Sequence, residues 1–406
     1  MSQQLQFIIF FSVWCIIVGI AYAFVGWRLI HTASLQSPWN SVAWSVLVVL
    51  YILPVALFGM AISRVEHAAV DAVAWAGYTA LGFIVFVITL LLARDIGLLA
   101  WKGGAYVLSL FENVGRASTE GNGITAGRRE FLMQMSDAGI VAGATVMTMV
   151  GMYEARREPG IVNVDIPIQN LPWAFDGFRI VQLTDIHAGL TVRRSFVETA
   201  VRLTNSLKPD LIAFTGDLVD GSIDHLRDDV EPMSDLAAPH GVYFVTGNHE
   251  YYSGAEAWVE EVRRMGMTVL LNEHRIIEKD GQTIVLAGVT DISAKNFVPS
   301  HASNPRASLQ GAKEGDTRIL LAHQPKSIYQ ATEAGFDLML SGHTHGGQFF
   351  PWNYMVALDQ PYVAGLFKHD KTFVYVSKGT GYWGPPVRLG ARSEITVITL
   401  RAKESI

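Results

Sequence analysis

Cysteine is nearly absent from this sequence of 406 residues: Cys15 stands alone, which excludes an internal disulfide and leaves the redox compartment unmarked. An excess of basic charge is absent too. The formal charge of -6 offers no electrostatic footprint for nucleic acid, so no nucleic-acid partner is expected. Charged residues make up only 17% of the chain, while half of it is apolar. The mean hydropathy of +0.27 is high for a wholly soluble protein. No internal repeat or low-complexity tract stands out, and the length fits two or three domains of roughly 150 residues each.

The missing charge is concentrated at the N-terminal end. The run 5–30 carries one charge, Arg28, near its end, and is long enough to cross a hydrocarbon core of about 30 Å. A second run, 43–63, is uncharged and contains Pro54, which membrane helices tolerate when neighbours satisfy the freed backbone. The third, 70–93, is marked only by Asp71 at its start. The fourth, 131–153, has a short apolar part, Ala138 to Tyr153, rich in Gly, Ala and Thr. Between the last two, 97–111 is apolar with Lys102 and paired glycines, and reads as an interfacial or re-entrant helix. The first run lacks a basic leader and others come after it, which argues against a cleaved signal peptide. Residues 1–158 are therefore expected to form a transmembrane domain of about four helices. Almost no charge falls mid-membrane, so an anchor is a simpler account than a transport path.

Orientation is set by basic residues in short loops. The first loop carries Arg28 and the second Arg64, whereas the third carries Arg94, Lys102, Arg116, Arg128 and Arg129. That third loop is expected in the cytoplasm, which puts the N-terminus and everything after Tyr153 outside. Arg156 and Arg157 pull the other way. Arg128-Arg129-Glu130-Phe131-Leu132 before an apolar run also has the look of a twin-arginine export signal.

From about Pro159 onward, strand-like runs alternate with amphipathic stretches. The strands are expected at 178–183, 210–215, 242–246, 284–289, 318–322, 336–340, 373–376 and 395–400. Helices are expected at 195–207, 255–265 and 326–334, and His301 to Gly315 reads as a flexible loop. Such alternation implies an α/β domain with largely buried sheets over 159–406. The residues at the strand ends carry the stronger signal. Thr184-Asp185-Ile186-His187, Gly216-Asp217-Leu218-Val219-Asp220, Gly247-Asn248-His249-Glu250, His323-Gln324-Pro325 and Gly342-His343-Thr344-His345 each close a run. One polar strand end is ordinary turn chemistry. Five in succession, at the edge where α/β sheets bind ligands, point to a shared site. Imidazoles, carboxylates and an amide without thiolate suit Mn, Fe or Zn, and seven candidate ligands suit two ions sharing a carboxylate. A metal pair of that kind suits in-line displacement at phosphorus.

These blocks resemble the signature of calcineurin-like metallophosphoesterases, and the resemblance covers roughly residues 161 to 400 with every block in order. Thr184 to Gly189, His345-Gly346-Gly347-Gln348 and the tail Gly379 to Glu394 resemble its membrane-associated branch. That branch includes twin-arginine-exported cell-wall phosphoesterases and one type of UDP-2,3-diacylglucosamine hydrolase. The resemblance implies a four-layer α-β-β-α sandwich of two mixed sheets. It implies two divalent ions, one held by Asp185, His187 and His345, the other by Asn248, His323 and His343, with Asp217 bridging. A bridging hydroxide would attack phosphorus directly. His249 would protonate the leaving oxygen, oriented by Asp220, whose carboxylate would raise the imidazole pKa.

Weaker expectations attach elsewhere. Arg388 is expected to contact the substrate phosphate, as a guanidinium fork fits phosphate oxygens. Phe349, Phe350, Trp352, Tyr354, Tyr382 and Trp383 are expected to form an apolar lip beside the metals. His225, His240, His274, His301 and His369 fit no ligand motif and read as packing or surface residues, and Asp291 takes no role. The function expected is metal-dependent hydrolysis of a phosphodiester or pyrophosphate with a lipid or envelope component, next to membrane lipids. Two alternatives stay open: a UDP-2,3-diacylglucosamine pyrophosphatase at the cytoplasmic face, and a non-catalytic membrane scaffold or sensor.

Overall fold

The computed structural model describes residues 3–62, 68–112 and 126–403. It divides into two compact units, Met1–Val150 and Gly151–Ile406.

The first unit is helical: α1 (Gln3–Leu29), α2 (Trp39–Ile62), α3 (Ala68–Glu112) and most of α4 (Ala126–Arg156). All four are long and apolar enough to cross a membrane. Ile16, Ile20, Val49, Ile52 and Val146 face outward, an arrangement that marks an apolar surrounding. The few charges pair between helices, Arg28 with Asp95 and Arg94 with Asp137. One expectation is corrected. The stretch 97–111 is not a separate helix but continues α3, which runs unbroken for 45 residues, about 68 Å. Gly103 and Gly104 weaken a helix without stopping it, and no proline interrupts the run. Arg94 and Lys102, read as loop charges, therefore lie within α3, while Arg116 falls outside the described residues.

The second unit holds two six-stranded sheets. Its strands are β1 (Gly160–Gln169), β2 (Arg179–Leu183), β3 (Leu211–Phe214), β4 (Val242–Phe244), β5 (Thr268–Val269), β6 (Glu273–Lys279), β7 (Gln282–Gly288), β8 (Arg318–Leu321), β9 (Leu338–Ser341), β10 (Gly365–His369), β11 (Thr372–Val376) and β12 (Glu394–Lys403). Its helices are α5 (Arg194–Ser206), α6 (Ile223–Val230), α7 (Asn248–Ser253), α8 (Ala255–Arg264), α9 (Pro305–Ser308), α10 (Ile328–Ala334) and α11 (Trp352–Asp359). The first sheet has the order β1-β12-β2-β3-β4-β5 and the second β10-β11-β9-β8-β7-β6. Both are mixed: β2 to β5 run parallel, as do β7, β8, β9 and β11, with antiparallel pairings at β12–β2, β6–β7 and β10–β11.

Alternation along the strands builds the layers. Ile180, Leu211, Ala213 and Tyr243 from the first sheet meet Leu286, Ile319, Leu321, Leu338 and Leu340 from the second in one buried core. The intervening residues Val181, Leu183, Ile212, Phe214 and Phe244 face the other way, onto Val197 and Val201 of α5, Leu226 of α6 and Trp258 of α8. Ala287, Leu320, Met339 and Val374 likewise cover Ile328 and Ala331 of α10. The result is the expected four-layer α-β-β-α sandwich. Strand β1 has no counterpart among the expected strands because Pro167 interrupts it; as an edge strand paired only with β12 it tolerates the missing donor.

Leu321 lies fully buried between the two sheets. Leu321→Ala is expected to cost about 2–5 kcal/mol of stability, read by denaturant unfolding of the full chain in detergent. A loss near zero would mean that the two sheets do not share this core.

Candidate metal centre

The parallel strands β2, β3, β4, β8 and β9 end next to one another, and each releases its chain into a turn carrying the candidate ligands. These turns are tight. Asp185, His187, Asp217, His343 and His345 all adopt φ between 51° and 70°, a left-handed conformation uncommon for residues with a side chain. Such strain persists only where surrounding contacts over-determine it. Asp185 N–H donates to the Gly216 carbonyl at 2.9 Å, His187 N–H to the Asp217 carbonyl at 3.1 Å, and Gly342 N–H to the His323 carbonyl at 3.0 Å. The glycines flanking the ligands are required by close approach. A methyl group on Gly342 would lie 2.1 Å from Asp185 Oδ2, and one on Gly247 2.1 Å from Asp217 Oδ1.

The side chains converge in two sets. Asp185, His187 and His345 bring ligand atoms together, as do Asp217, His323 and His343, while His187, Asp217 and His249 form a third overlapping group. His187 Nε2 and His345 Nε2 face each other at 3.0 Å, and His343 Nδ1 faces His323 Nε2 at 3.2 Å. His323 Nε2 is 3.0 Å from Asp217 Oδ2, and His187 Nε2 is 3.7 Å from the same oxygen. Asn248, at the start of α7, is buried, and its Oδ1 has no hydrogen-bond partner. Its neighbour His249 donates its N–H to Asp217 Oδ1 at 2.9 Å. A buried orphan acceptor on that turn, with imidazole nitrogens that face one another, is a donor set that a pair of divalent cations would satisfy. The residues present fit such ions.

Burial sharpens the electrostatics. It pushes the His343 imidazole down to about 4, reinforced by neighbouring His323, and pushes His345 well below its usual value. Burial also acts to lower His323, yet the Asp217 carboxylate carries it up to about 10. Asp217 itself would be raised by burial, but His323 and His249 hold it well below the carboxylate range. Neutral imidazoles and ionised carboxylates are the forms that ligate metals.

Asp220 has two partners. Its Oδ1 is 2.6 Å from His249 Nδ1, as the resemblance implied, and 2.9 Å from His187 Nδ1. It therefore orients a candidate ligand as well as His249. Glu250, which no sequence argument singled out, is fully buried and accepts N–H groups from Gly247 at 2.7 Å, Leu218 at 2.8 Å and Asp217 at 3.0 Å. It ties the second and third turns together, and its glutamate spacing after Gly247 is the signal that could have found it.

Arg388 requires correction. It is completely buried and does not present a fork to substrate. Its Nε donates to the Gly381 carbonyl at 3.0 Å, and its Nη1 to the carbonyls of Ala391 at 2.9 Å and His345 at 3.2 Å. Its Nη2 meets the Gly381 carbonyl and lies 2.9 Å from His345 Nδ1. With every nitrogen engaged, it braces His345 from behind. The aromatic lip is also corrected. Phe349 and Tyr382 are buried, the latter donating its hydroxyl to the Thr191 carbonyl at 3.0 Å. Phe350, Trp352 and Tyr354 are exposed in and just before α11, and only Trp383 lies against a site residue, 5.6 Å from His249 between ring centres. Asp291 is buried and caps Ser293, with Gln324 donating to it at 3.0 Å. His274 and His301 bond the Ser308 carbonyl and the Tyr251 hydroxyl, the packing roles expected of them.

The sequence matches the calcineurin-like phosphoesterase family over residues 178–347. It is 38% identical over 341 residues to a Bos taurus transmembrane protein with metallophosphoesterase domain, covering 80% of this chain and 73% of that one. To the protein of the same description from Danio rerio it is 40% identical over 264 residues, 63% of this chain and 60% of that one. An uncharacterized metallophosphoesterase of Bacillus subtilis is 32% identical over 288 residues, covering 68% of this chain and 98% of that one. The chain thus spans less than two thirds of the Danio rerio relative's length.

Gly342→Ala would drive its methyl group into Asp185. It is expected to weaken divalent-metal binding roughly 10–100-fold, read by calorimetric titration of the metal-stripped protein. Unchanged affinity would remove Asp185 from the ligand set.

Proposed function

The chain belongs to the calcineurin-like phosphoesterase family, and on that premise we propose that it is a membrane-anchored, dinuclear metal-dependent phosphoesterase. The observation that carries the reading is the convergence of Asp185, His187, Asp217, His323, His343 and His345, with the buried orphan Oδ1 of Asn248 on the turn that His249 N–H ties to Asp217. Asp185, His187 and His345 are read as one ligand set, Asn248, His323 and His343 as the other, and Asp217 as shared. When bound, two divalent ions at such a site acidify water and offset charge on phosphoryl oxygens.

The chain's own residues do the rest. Asp220 accepts from the outer nitrogen of His187 and leaves its Nε2 free, while Arg388 holds the His345 carbonyl. Burial would lower the His249 imidazole, but the Asp220 carboxylate raises it, so it is suited to carry a proton at neutral pH. With Nδ1 on Asp220, Nε2 is the atom that delivers that proton to a departing oxygen.

The substrate class is a phosphodiester or pyrophosphate with a lipid or envelope component, because four helices suited to a bilayer share the chain. The phosphoesterase unit is proposed to lie outside the cytoplasm. Arg128 and Arg129 are exposed in the first turn of α4, where they favour a cytoplasmic start for that helix. At its other end Arg157 is offset by Glu154 at 2.8 Å.

Two measurements test this. His249→Ala is expected to lower kcat on a model phosphodiester by about 10²–10⁴-fold with two metal equivalents retained, whereas Asp217→Asn should lose both activity and metal. Equal loss of metal in the two variants would make His249 a ligand instead. A compartment-sensitive reporter fused after Ile406 is expected to report from outside the cytoplasm. A cytoplasmic signal would reverse the proposed orientation and favour hydrolysis of a nucleotide-sugar lipid.

A further inference from the structure

The geometry points to a binding subsite for an apolar leaving alcohol, formed by Tyr252, Phe297 and Trp383 beside His249. This inference rests on the phosphoesterase reading above and specifies which part of the substrate is greasy.

His249 sits against two of the rings, its centre 5.1 Å from that of Tyr252 and 5.6 Å from that of Trp383. Phe297 extends the surface, 5.3 Å from Tyr252. The three rings are 59%, 50% and 43% exposed for Tyr252, Trp383 and Phe297, leaving aromatic surface open at the mouth of a buried, charged site. Their supports are nonetheless fixed. Trp383 N–H donates to Gln348 Oε1 at 3.0 Å, and its carbonyl accepts from Gln348 Nε2 at 2.9 Å. Tyr252 lies in α7, whose first turn is held by Glu250. Phe297 closes a turn that Asp291 starts by accepting from Ser293, and whose Ala294 packs on Tyr251 and Ala255. These are exposed rings on anchored backbone rather than rings on loose loops.

The proton donor dictates the occupant. In hydrolysis, the oxygen of water bonds to phosphorus while the bond from phosphorus to the leaving oxygen breaks. The electron pair stays on the leaving oxygen, which takes the proton of His249 Nε2 to become an alcohol. The proton lost by the attacking water passes to solvent, from which His249 is recharged. The carbon attached to the leaving oxygen must then lie over the rings beside His249. The polar side chains that hold the backbone beneath them are already engaged: Gln348 with Trp383 and Pro385, and Asp291 with Ser293 and Gln324. A sugar or nucleobase placed there would leave its own polar groups unmatched, whereas hydrocarbon needs no partner.

The test uses the full chain in lipid nanodiscs with manganese, and methyl butyl, methyl octyl and methyl 5′-adenosyl phosphate as substrates. The alkyl alcohols leave with the same intrinsic difficulty, so chain length isolates the subsite. Octanol rather than methanol is expected as the released alcohol, with kcat/KM roughly tenfold higher for octyl than butyl, a fraction of what four fully buried methylenes would give. The octyl-to-butyl ratio should fall toward one in Tyr252→Ala and in Trp383→Ala and be kept in Trp383→Phe. Because the ratio is internal to each protein, a general loss of rate does not move it, and metal content confirms that each variant is folded. A flat ratio in the parent protein, methanol as product, faster turnover of the adenosyl diester, or a ratio unchanged in both Ala variants would overturn the subsite while leaving the phosphoesterase reading intact. Failure to hydrolyse any diester with metal bound would instead overturn that reading, and the subsite with it.

Discussion

Two carboxylates, Asp185 and Asp217, are buried beside the imidazoles of His187, His323, His343 and His345, and the rest of the second unit is arranged to hold that concentration of polar groups out of water. Burying ionisable groups is unfavourable unless each finds a partner. Here the partners come from several strand ends at once, so the parallel pairing of β2, β3 and β4 and of β8 and β9 is a requirement of the site. The left-handed backbone at five of the ligand positions has its origin in the same constraint. A strand that ended in relaxed extended geometry would carry its side chain past the centre, and the turn redirects it. The favourable burial of the inter-sheet core, in which Ile180, Leu321 and Leu340 are wholly enclosed, offsets that strain.

Around this centre the outer contacts divide by chemistry. Asp220 accepts from the far nitrogens of His187 and His249 alike, so one carboxylate sets the orientation of a candidate ligand and of the proposed proton donor. Glu250 binds three backbone N–H groups from two turns and keeps the Asp217 and Asn248 loops in register. Its burial, together with the nearby charge of Asp217, pushes its carboxyl up to about 7, and the three N–H donors oppose that rise. Arg388 holds the His345 turn instead, donating to the His345 carbonyl and lying against its ring, and burial pulls its guanidinium down to about 10.

The features legible in the sequence were those that turn chemistry writes locally. Asp, His and Asn after apolar runs marked the strand ends, and all seven candidate ligands lie on those turns. The inner parallel strands β2, β3, β4, β7, β8, β9 and β11 were found within two residues because both of their faces are apolar. Less legible were elements whose stability comes from a partner. Strand β1 depends on β12 at the far end of the unit, and β6 and β10 are antiparallel edges in which Ile277 alone is buried. Arg388 looked like a substrate fork because nothing in Pro385-Pro386-Val387-Arg388 reveals that four carbonyl contacts and an imidazole await it. Tyr252 and Phe297 carried no pattern at all; only the fold brings Tyr252 of α7 and Trp383 of the C-terminal loop against His249, with Phe297 against Tyr252. Residues 97–111 misled for the opposite reason, since paired glycines suggest a break that an otherwise apolar helix does not make.

The entry of the chain into the second unit is itself part of the site's support. The last turn of α4, Gly151 to Arg156, belongs to that unit, and Ala155 is buried in the core beneath α5 together with Val181, Leu183 and Ile186. The Gly151 carbonyl accepts from Arg388 N–H at 2.9 Å, and a side chain at 151 would run into Val387 at 2.4 Å. Glycine is thus required where this helical turn meets the segment that carries Arg388. From there the guanidinium reaches the carbonyl and ring of His345, which faces His187 across the centre. The final turn of an apolar helix and the ring of a candidate ligand are consequently two ends of one short chain of direct contacts. The end of α4 from Gly151 packs as a core element of the second unit, and the segment that carries Arg388 rests on it.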